Sequence, residues 1–316
     1  MIFREATATD IPERVEVLQV SLGEQDLPLS EEIWNYKHVN NPFGKSLVLV
    51  AEEKGIIAGV RAFMCWEWQF LNKPYSTYRA VDTATHPNYQ GQGIFKKLTL
   101  KAIELAKQQG DHFIFNTPNE QSMPGYLKMG WEVVDKLRVA LKPAYTSFWK
   151  FYKTDISYAV SNNSKEKDLQ LLCKLSNSKL EISQGLFTPK SVEYLQWRYL
   201  ANPLQQYEIF IDSGIYMAGY VRKRRGFKEL RIVECIFDDN EINKKKINSL
   251  INLWCSKFGI QVISYSPEVL NLNLTLINSK IGPVLTFRDL NLSNNEFNTF
   301  KKINNWNYSL GDLELF

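Results

Sequence analysis

Two stretches of this chain repeat each other, and the repeat limits what the chain can fold into. Tyr36-Lys37-His38-Val39-Asn40-Asn41-Pro42 aligns with Trp197-Arg198-Tyr199-Leu200-Ala201-Asn202-Pro203. Both read aromatic, basic, aromatic or His, aliphatic, any residue, Asn, Pro. Further on, Ala58-Gly59-Val60 aligns with Ala218-Gly219-Tyr220, at an offset that moves from about 161 to about 160 residues. Ordered matches of this kind mark an internal duplication. The 316 residues exceed one average domain and suit two. With 44% apolar and 23% charged residues, the chain can fill two ordinary cores and is not disordered.

Within each copy the hydrophobic period switches between that of a strand and that of a helix. Ile2 to Ala6 reads as a strand, and Thr9 or Asp10 caps a helix with Pro12 just inside it. Ser30 opens a second helix that Asn41-Pro42 stops. Ser46 to Glu52 and Ile56 to Glu67 form a hairpin, and Arg79 to Thr85 is a central strand. Ile94, Leu98, Ala102, Leu105 and Ala106 fall at helical spacing, with Gly110 at the C-terminal end. The expected class is mixed α/β, with helices flanking a mostly antiparallel sheet in each of two tandem units. The boundary falls at 1–145 and 146–316, joined through about 143–167, where the pattern loosens.

Several classes are disfavoured. The net charge of +4 is too small to argue for nucleic acid or an anionic membrane. No apolar run approaches the ~18 residues that span a bilayer. Met1-Ile2-Phe3-Arg4-Glu5 shows no basic stretch followed by an apolar one, so a cytoplasmic location is expected. Cys65, Cys173, Cys235 and Cys255 lack metal or redox spacing, and the three histidines are scattered, so no metal is expected.

The chemistry points to one segment, Val81-Asp82-Thr83-Ala84-Thr85-His86-Pro87-Asn88-Tyr89-Gln90-Gly91-Gln92-Gly93-Ile94-Phe95. It reads strand, sharp turn, helix. Glycines at 91 and 93 remove side chains where backbone N–H groups lack helical partners and the helix dipole is positive. Such a turn can seat a diphosphate, and Lys96 and Lys97 follow directly. The P-loop Gly-Lys-Ser/Thr is absent, and Lys96 breaks GxGxxG. A plain strand-to-helix turn that binds nothing fits the glycines equally well.

The segment resembles the pyrophosphate-binding motif of the GNAT acetyltransferase superfamily, Arg/Gln-x-x-Gly-x-Gly/Ala. Gln90 and Gly93 match it, while Phe95 stands where a small residue is usual. Downstream, Asn119 and Tyr126-Leu127-Lys128-Met129-Gly130-Trp131 resemble the superfamily's Asn…Tyr-x-x-x-Gly-Phe signature. The resemblance covers roughly residues 1 to 140, and the second half is similar to a degenerate second GNAT-like unit. It implies acetyl-CoA (acyl-CoA) as co-substrate. Gln90, Gly91, Gln92, Gly93, Ile94 and Phe95 would hold the diphosphate. Thr83, Ala84 and Thr85 would face the thioester through their backbone, in a gap between Arg79–Thr85 and His112–Phe115. Asn119 would bind the pantetheine arm or its neighbouring loop. Tyr126 would protonate the departing thiolate, which a phenol of ordinary pKa ~10 can do.

The amine acceptor must lose a proton before it attacks. Asp82 on the central strand or Glu120 beside the gap could take it through water. The alternative for Asp82 is an ion pair with Arg79 or another neighbour. The expected function is acyl transfer to the primary amine of a small molecule or sugar. Two other readings stand beside it: a non-catalytic CoA-binding module, and an aminoacyl or fatty-acyl transferase of the same two-unit build. In the second copy, Asp238-Asp239-Asn240-Glu241 replaces the glycine turn, so that copy is expected to bind no CoA. The aromatic tail Trp306 to Asp312 is expected to be docked and is a candidate wall of the acceptor site. Nothing in the sequence identifies the acceptor or the oligomeric state.

Overall fold

The computed structural model describes residues 1–22, 30–144 and 166–313. The expected connection at about 143–167, and with it the boundary at 145/146, lies almost wholly outside the described residues. In chain order the elements are β1 (Ile2–Glu5), α1 (Ile11–Leu22), α2 (Glu31–His38), β2 (Leu47–Glu53), β3 (Ile56–Phe70), β4 (Lys73–Thr85), α3 (Ile94–Gln108), β5 (Phe113–Asn116), α4 (Met123–Lys128), β6 (Glu132–Lys136) and β7 (Val139–Pro143). Then come α5 (Glu166–Ile182), β8 (Leu186–Phe187), α6 (Val192–Leu195), β9 (Glu208–Ile211), β10 (Ile215–Arg224), β11 (Phe227–Phe237), α7 (Glu241–Phe258), β12 (Val262–Tyr265), β13 (Ile277–Ser279), β14 (Val284–Asp289), α8 (Asn294–Phe300), β15 (Trp306–Asn307) and α9 (Leu310–Leu313).

The chain forms two compact units that do not meet at a single boundary. The first is Met1–Trp68, Lys73–Asp135 and Pro283–Ile303. The second is Gln69–Asn72, Lys136–Gly282 and Asn304–Phe316. One cut near residue 145 therefore does not describe them, because the strands cross. In the first unit the strand order is β1-β2-β3-β4-β5-β14-β6, and in the second it is β13-β7-β12-β11-β10-β9. Strand β14 sits antiparallel to β5, with Thr286 opposite Asn116 and Asp289 opposite Phe113. Strand β7 sits antiparallel to β12, with Pro143 opposite Val262 and Ala140 opposite Tyr265. Each unit is thus completed by a strand from the other half of the sequence. The sequence repeat gave no sign of this exchange, because alternation reports which face a strand buries and not which neighbour it pairs with.

The first unit buries both faces of its sheet. Leu49, Phe63, Tyr78 and Ala80 pack under α3 and α4, against Ile94, Leu98, Ala102 and Tyr126. Val48, Val50, Val60 and Ala62 face the other way, against Val15 and Leu18 of α1 and Trp34 of α2. Ser30 caps α2 by accepting from the Ile33 amide at 3.3 Å. The β3–β4 hairpin is longer than the sequence suggested. Pro74 near the start of β4 masks a strand whose Tyr75 and Thr77 are buried at alternate positions.

The second unit repeats the plan. Antiparallel β9, β10 and β11 are followed by α7 and by β12, parallel to β11. Gly59 and Gly219 occupy matching places under the long helices. A Cβ at Gly59 would lie 2.6 Å from Ile94 of α3, and one at Gly219 would lie 3.3 Å from Trp254 of α7. The basic run Arg222 to Arg225 is an exposed hairpin end turning at Gly226. The tail is docked, with Trp306, Tyr308, Ser309, Leu310 and Asp312 buried in this unit.

The exchange has a direct consequence. Residues 1–145 alone lack β14 and α8, which supply fully buried Leu285, Phe287 and Phe300. That fragment should show no cooperative thermal transition by circular dichroism, whereas residues 1–135 joined by a short linker to 283–303 should melt cooperatively. In the intact chain, Phe287→Ala should cost roughly 3–5 kcal/mol in a denaturant titration. A cooperative melt from 1–145 alone would show that β14 is dispensable.

Candidate functional site

Strand β4 runs beside β5 for only a short distance. Parallel pairing joins Thr77, Tyr78 and Arg79 to Phe113, Ile114 and Phe115, and ends there. Beyond Arg79, β4 continues to Thr85 while β5 stops at Asn116. The two central strands therefore part at the level of Ala80, and Thr83, Ala84 and Thr85 line the β4 side of the opening. Asp82 lies at the start of the divergence with φ +37°, a left-handed conformation rare for a residue with a side chain.

The neighbours of Asp82 account for that conformation. Its carboxylate accepts from Lys37 Nζ at 2.5 Å and meets His38 Nε2 at 2.7 Å, both from α2. His38 Nδ1 in turn contacts Ser46 Oγ at 2.8 Å. Burial raises the Asp82 carboxyl, but the charge of Lys37 and the bond to His38 outweigh it and hold the group well below the usual carboxylate range. Burial pushes the His38 imidazole down, against the pull of Asp82. The ion-pair alternative for Asp82 is realised, with Lys37 and His38 rather than Arg79 as partners. A carboxylate held ionised this firmly is a poor proton acceptor, so the geometry disfavours Asp82 as the base. Glu120 is exposed beyond β5.

The same brace recurs in the second unit. Pairing of β11 with β12 covers Glu229, Leu230 and Arg231. Glu234, five residues past Glu229 as Asp82 is past Thr77, accepts from Tyr199 at 3.2 Å and Lys190 at 2.8 Å. Tyr199 is the repeat partner of His38. Lys190 also binds Asp312 of the tail at 2.7 Å.

The turn after β4 leaves a run of backbone amides bare. Gly91 and Gly93 have φ of +78° and +72°. A Cβ at either would meet nothing within 4 Å, so these glycines are required by backbone shape and not by crowding. The first helical bond of α3 runs from Lys97 N to Gly93 O. From Gly91 to Lys96 the backbone amides donate to no acceptor among the described residues. Gln90 stays exposed, its amide 3.4 Å from the Thr85 carbonyl. At the start of α7 the situation is reversed. Asn240 accepts from the Asn243 amide at 2.8 Å, and Asp239 and Glu241 stand at the same end.

Helix α4 brings Tyr126 to the first turn of α3. The rings of Tyr126 and Phe95 meet edge-on at 5.8 Å, and Gly125 leaves room for Phe95. Phe95, exceptional by sequence, thus packs the start of α3 onto α4. Asn119 commits its side-chain oxygen to the Ser122 amide at 2.9 Å, and so shapes the entry to α4 while keeping its NH2 free of described partners. The Tyr126 hydroxyl accepts from Arg61 Nη1 at 2.8 Å. Burial pushes the Cys65 thiol up to about 11, which disfavours the thiolate form.

Sequence reasoning missed Lys37, His38 and Arg61. The first two were visible inside the repeat motif: in the first unit its basic and His places reach the strand carboxylate, whereas in the second Tyr199 reaches Glu234 while Arg198 donates to the Gly311 carbonyl at 3.0 Å. Arg61 was visible as a lone charge within the apolar run Ile56 to Met64. No helix among the described residues is long and apolar enough to cross a membrane.

Part of this chain is similar in sequence to a known domain, and most of it is similar in fold to solved structures. Residues 3–134 match the family model of the acetyltransferase (GNAT) domain. An Escherichia coli L-amino acid N-acyltransferase, MnaT, is 28% identical over 93 residues, 28% of this chain and 52% of that protein. The match thus spans about half the length of that curated relative. The fold is shared along most of the chain with a conserved protein of unknown function from Enterococcus faecalis, at 13% identity and TM-score 0.68, covering 92% of this chain and 72% of the other. It is shared also with a GCN5-related N-acetyltransferase from Anabaena variabilis, at 14% identity and TM-score 0.64, covering 92% and 73%. The parted strands, the bare-amide glycine turn and the α4 tyrosine all fall within residues 3–134, the stretch that matches the acetyltransferase (GNAT) domain.

Proposed function

We propose that the first unit transfers an acetyl or other short acyl group from acyl-CoA to the primary amine of a small molecule, by direct attack with both substrates bound. The observation that carries this reading is the run of unpartnered amides from Gly91 to Lys96 at the head of α3, beside a tyrosine on α4. A diphosphate supplies the acceptors those amides lack, and the dipole of α3 favours its charge. Acyl-CoA, when bound, supplies the activated thioester. Thr83, Ala84 and Thr85 would present backbone groups to the pantetheine arm along the open side of β4. Tyr126 would hold a proton for the leaving sulfur.

The base is a separate question. With Asp82 engaged by Lys37 and His38, we read it as a brace for the kink in β4. The amine proton would then leave through water, with Glu120 as the remaining nearby carboxylate of the sequence reading. The name of the E. coli relative makes L-amino acids the first acceptors to try, beside amino sugars and polyamines. The second unit lacks the cradle, so we expect one acyl-CoA per chain.

Calorimetric titration of the whole chain with acetyl-CoA should give a stoichiometry of one, and Gly93→Glu should abolish binding by placing a carboxylate in the phosphate seat. A ligand at a hundredfold excess over Kd stabilises the fold by ~2.7 kcal/mol, so the melting temperature should rise as well. If neither acetyl-CoA nor longer acyl-CoAs bind, the proposal fails.

Tyr126→Phe should lower kcat by ~10²–10⁴-fold, measured by thiol release from acetyl-CoA with the best acceptor of that panel, while CoA affinity holds. Full turnover in this variant would remove Tyr126 from the chemistry.

Asp82→Asn should reduce stability near pH 7 by roughly 3–5 kcal/mol, because Lys37 then keeps a buried charge without its carboxylate. The folded carboxyl lies below its unfolded value of about 3.9, so its contribution is complete above that pH and is lost as the pH falls below it. The gap between the urea midpoints of the two proteins should begin to narrow below about pH 4 and close only as the pH falls through the depressed folded value. A gap that is constant from neutral pH downward would show that the charge of Asp82 is not what braces β4.

A further inference from the structure

Arg61 has no structural partner equal to its charge. It lies on β3 and is fully buried. Its Nη1 donates to the Tyr126 hydroxyl at 2.8 Å. Nε and Nη2 find no acceptor among the described residues, and no carboxylate pairs with the group there. Around the guanidinium stand the rings of Phe63, Tyr126 and Phe95, with centroids 4.7, 5.3 and 5.7 Å away. Ring faces attract a cation, but an unpaired buried charge is costly to the fold, and an apolar residue would pack this core better.

The single polar contact of Arg61 is informative about the tyrosine. A guanidinium has only donors, so the phenol oxygen must be the acceptor in this bond. Its own proton must then point elsewhere, and among the described residues nothing accepts it. The second copy of the repeat offers a control. At the offset that matches Gly59 with Gly219, the partner of Arg61 is Val221. The copy without the glycine turn and without a tyrosine thus also lacks the arginine.

We propose that Arg61 is a positioning residue for Tyr126. By occupying the acceptor side of the phenol oxygen, it aims the proton away from β3 and toward the leaving sulfur. In the step itself the amine nitrogen bonds to the thioester carbonyl carbon, and the carbon–sulfur bond breaks with its electron pair going to sulfur, which takes the Tyr126 proton. The phenolate left behind keeps the Arg61 hydrogen bond, and the proton released by the amine restores the phenol through solvent. This inference rests on the acyltransferase reading of Tyr126.

The test is a double-mutant cycle in the full chain. It is read as thiol release from acetyl-CoA with the best acceptor of the amine panel, alongside calorimetric CoA affinity. Arg61→Met should lower kcat on the order of tenfold to a hundredfold, as expected for losing a hydrogen bond from a charged group, with CoA affinity unchanged. Arg61→Lys, again a donor without an acceptor, should keep most of the activity. Arg61→Gln should not, because its amide oxygen can capture the phenol proton. In a Tyr126→Phe background, Arg61→Met should have no further effect on kcat. An equal loss from Arg61→Met in both backgrounds would mean a general packing role and overturn the inference. If Arg61→Met does not fold, Arg61→Lys and Arg61→Gln in both backgrounds complete the cycle, and equal activity of those two variants overturns it as well. Unimpaired Tyr126→Phe would instead defeat the parent reading.

Discussion

The ion pair between Lys37 and Asp82 is the contact on which the site depends. Asp82 holds a backbone conformation that a non-glycine residue rarely adopts, and it does so where β4 ceases to pair with β5. Strain of that kind persists only where the surroundings over-determine it. Here a buried lysine and a buried histidine from one helix supply the constraint from one side of the sheet. On the opposite side, the head of α3 and the tyrosine of α4 pack against the same sheet. The sheet is thus gripped from both faces where β4 parts from β5, by α2 at Asp82 and by α3 and α4 opposite.

The second unit has the same frame and a different filling. Tyr199 and Glu234 repeat the contact between His38 and Asp82. Yet Lys190 ties Glu234 to Asp312, and Ser266 at the end of β12 donates to the Tyr308 carbonyl at 2.7 Å. The tail therefore lies between the diverging β11 and β12, where the first unit keeps an opening. Its helix α7 also satisfies its own first turn through Asn240. One copy kept its unmet amides and its open strands, while the other used chain and side chains to satisfy both.

The legible part of this protein was the local part. The turn at Gly91 and Gly93, helix α3, the tyrosine of α4 and the repeat itself follow from periodicity, backbone freedom and short motifs, and each falls where the sequence placed it. The order of strands was not legible, since β7 and β14 alternate like any half-buried strand and carry no mark of the sheet they join. The partners of Asp82 were not legible either, since they lie more than forty positions away in sequence. Phe95 departed from its motif for a reason that only contact could reveal, because Gly125 makes the space it fills.

The reciprocal placement of β7 and β14 also orders events in time. Synthesis proceeds from the N-terminus, and N-terminal domains ordinarily fold first. In this chain the sheet of the first unit must wait for residues 284–289, which leave the ribosome well after β5. Until then the far edge of β5 carries unpaired amides and carbonyls beside an exposed aromatic surface, a template for pairing with the wrong strand. Contacts this distant in sequence are slow to form. The nascent chain is therefore most open to misassembly or chaperone capture while the residues between β5 and β14 are translated, and the glycine turn gains its finished sheet only after β14 has emerged.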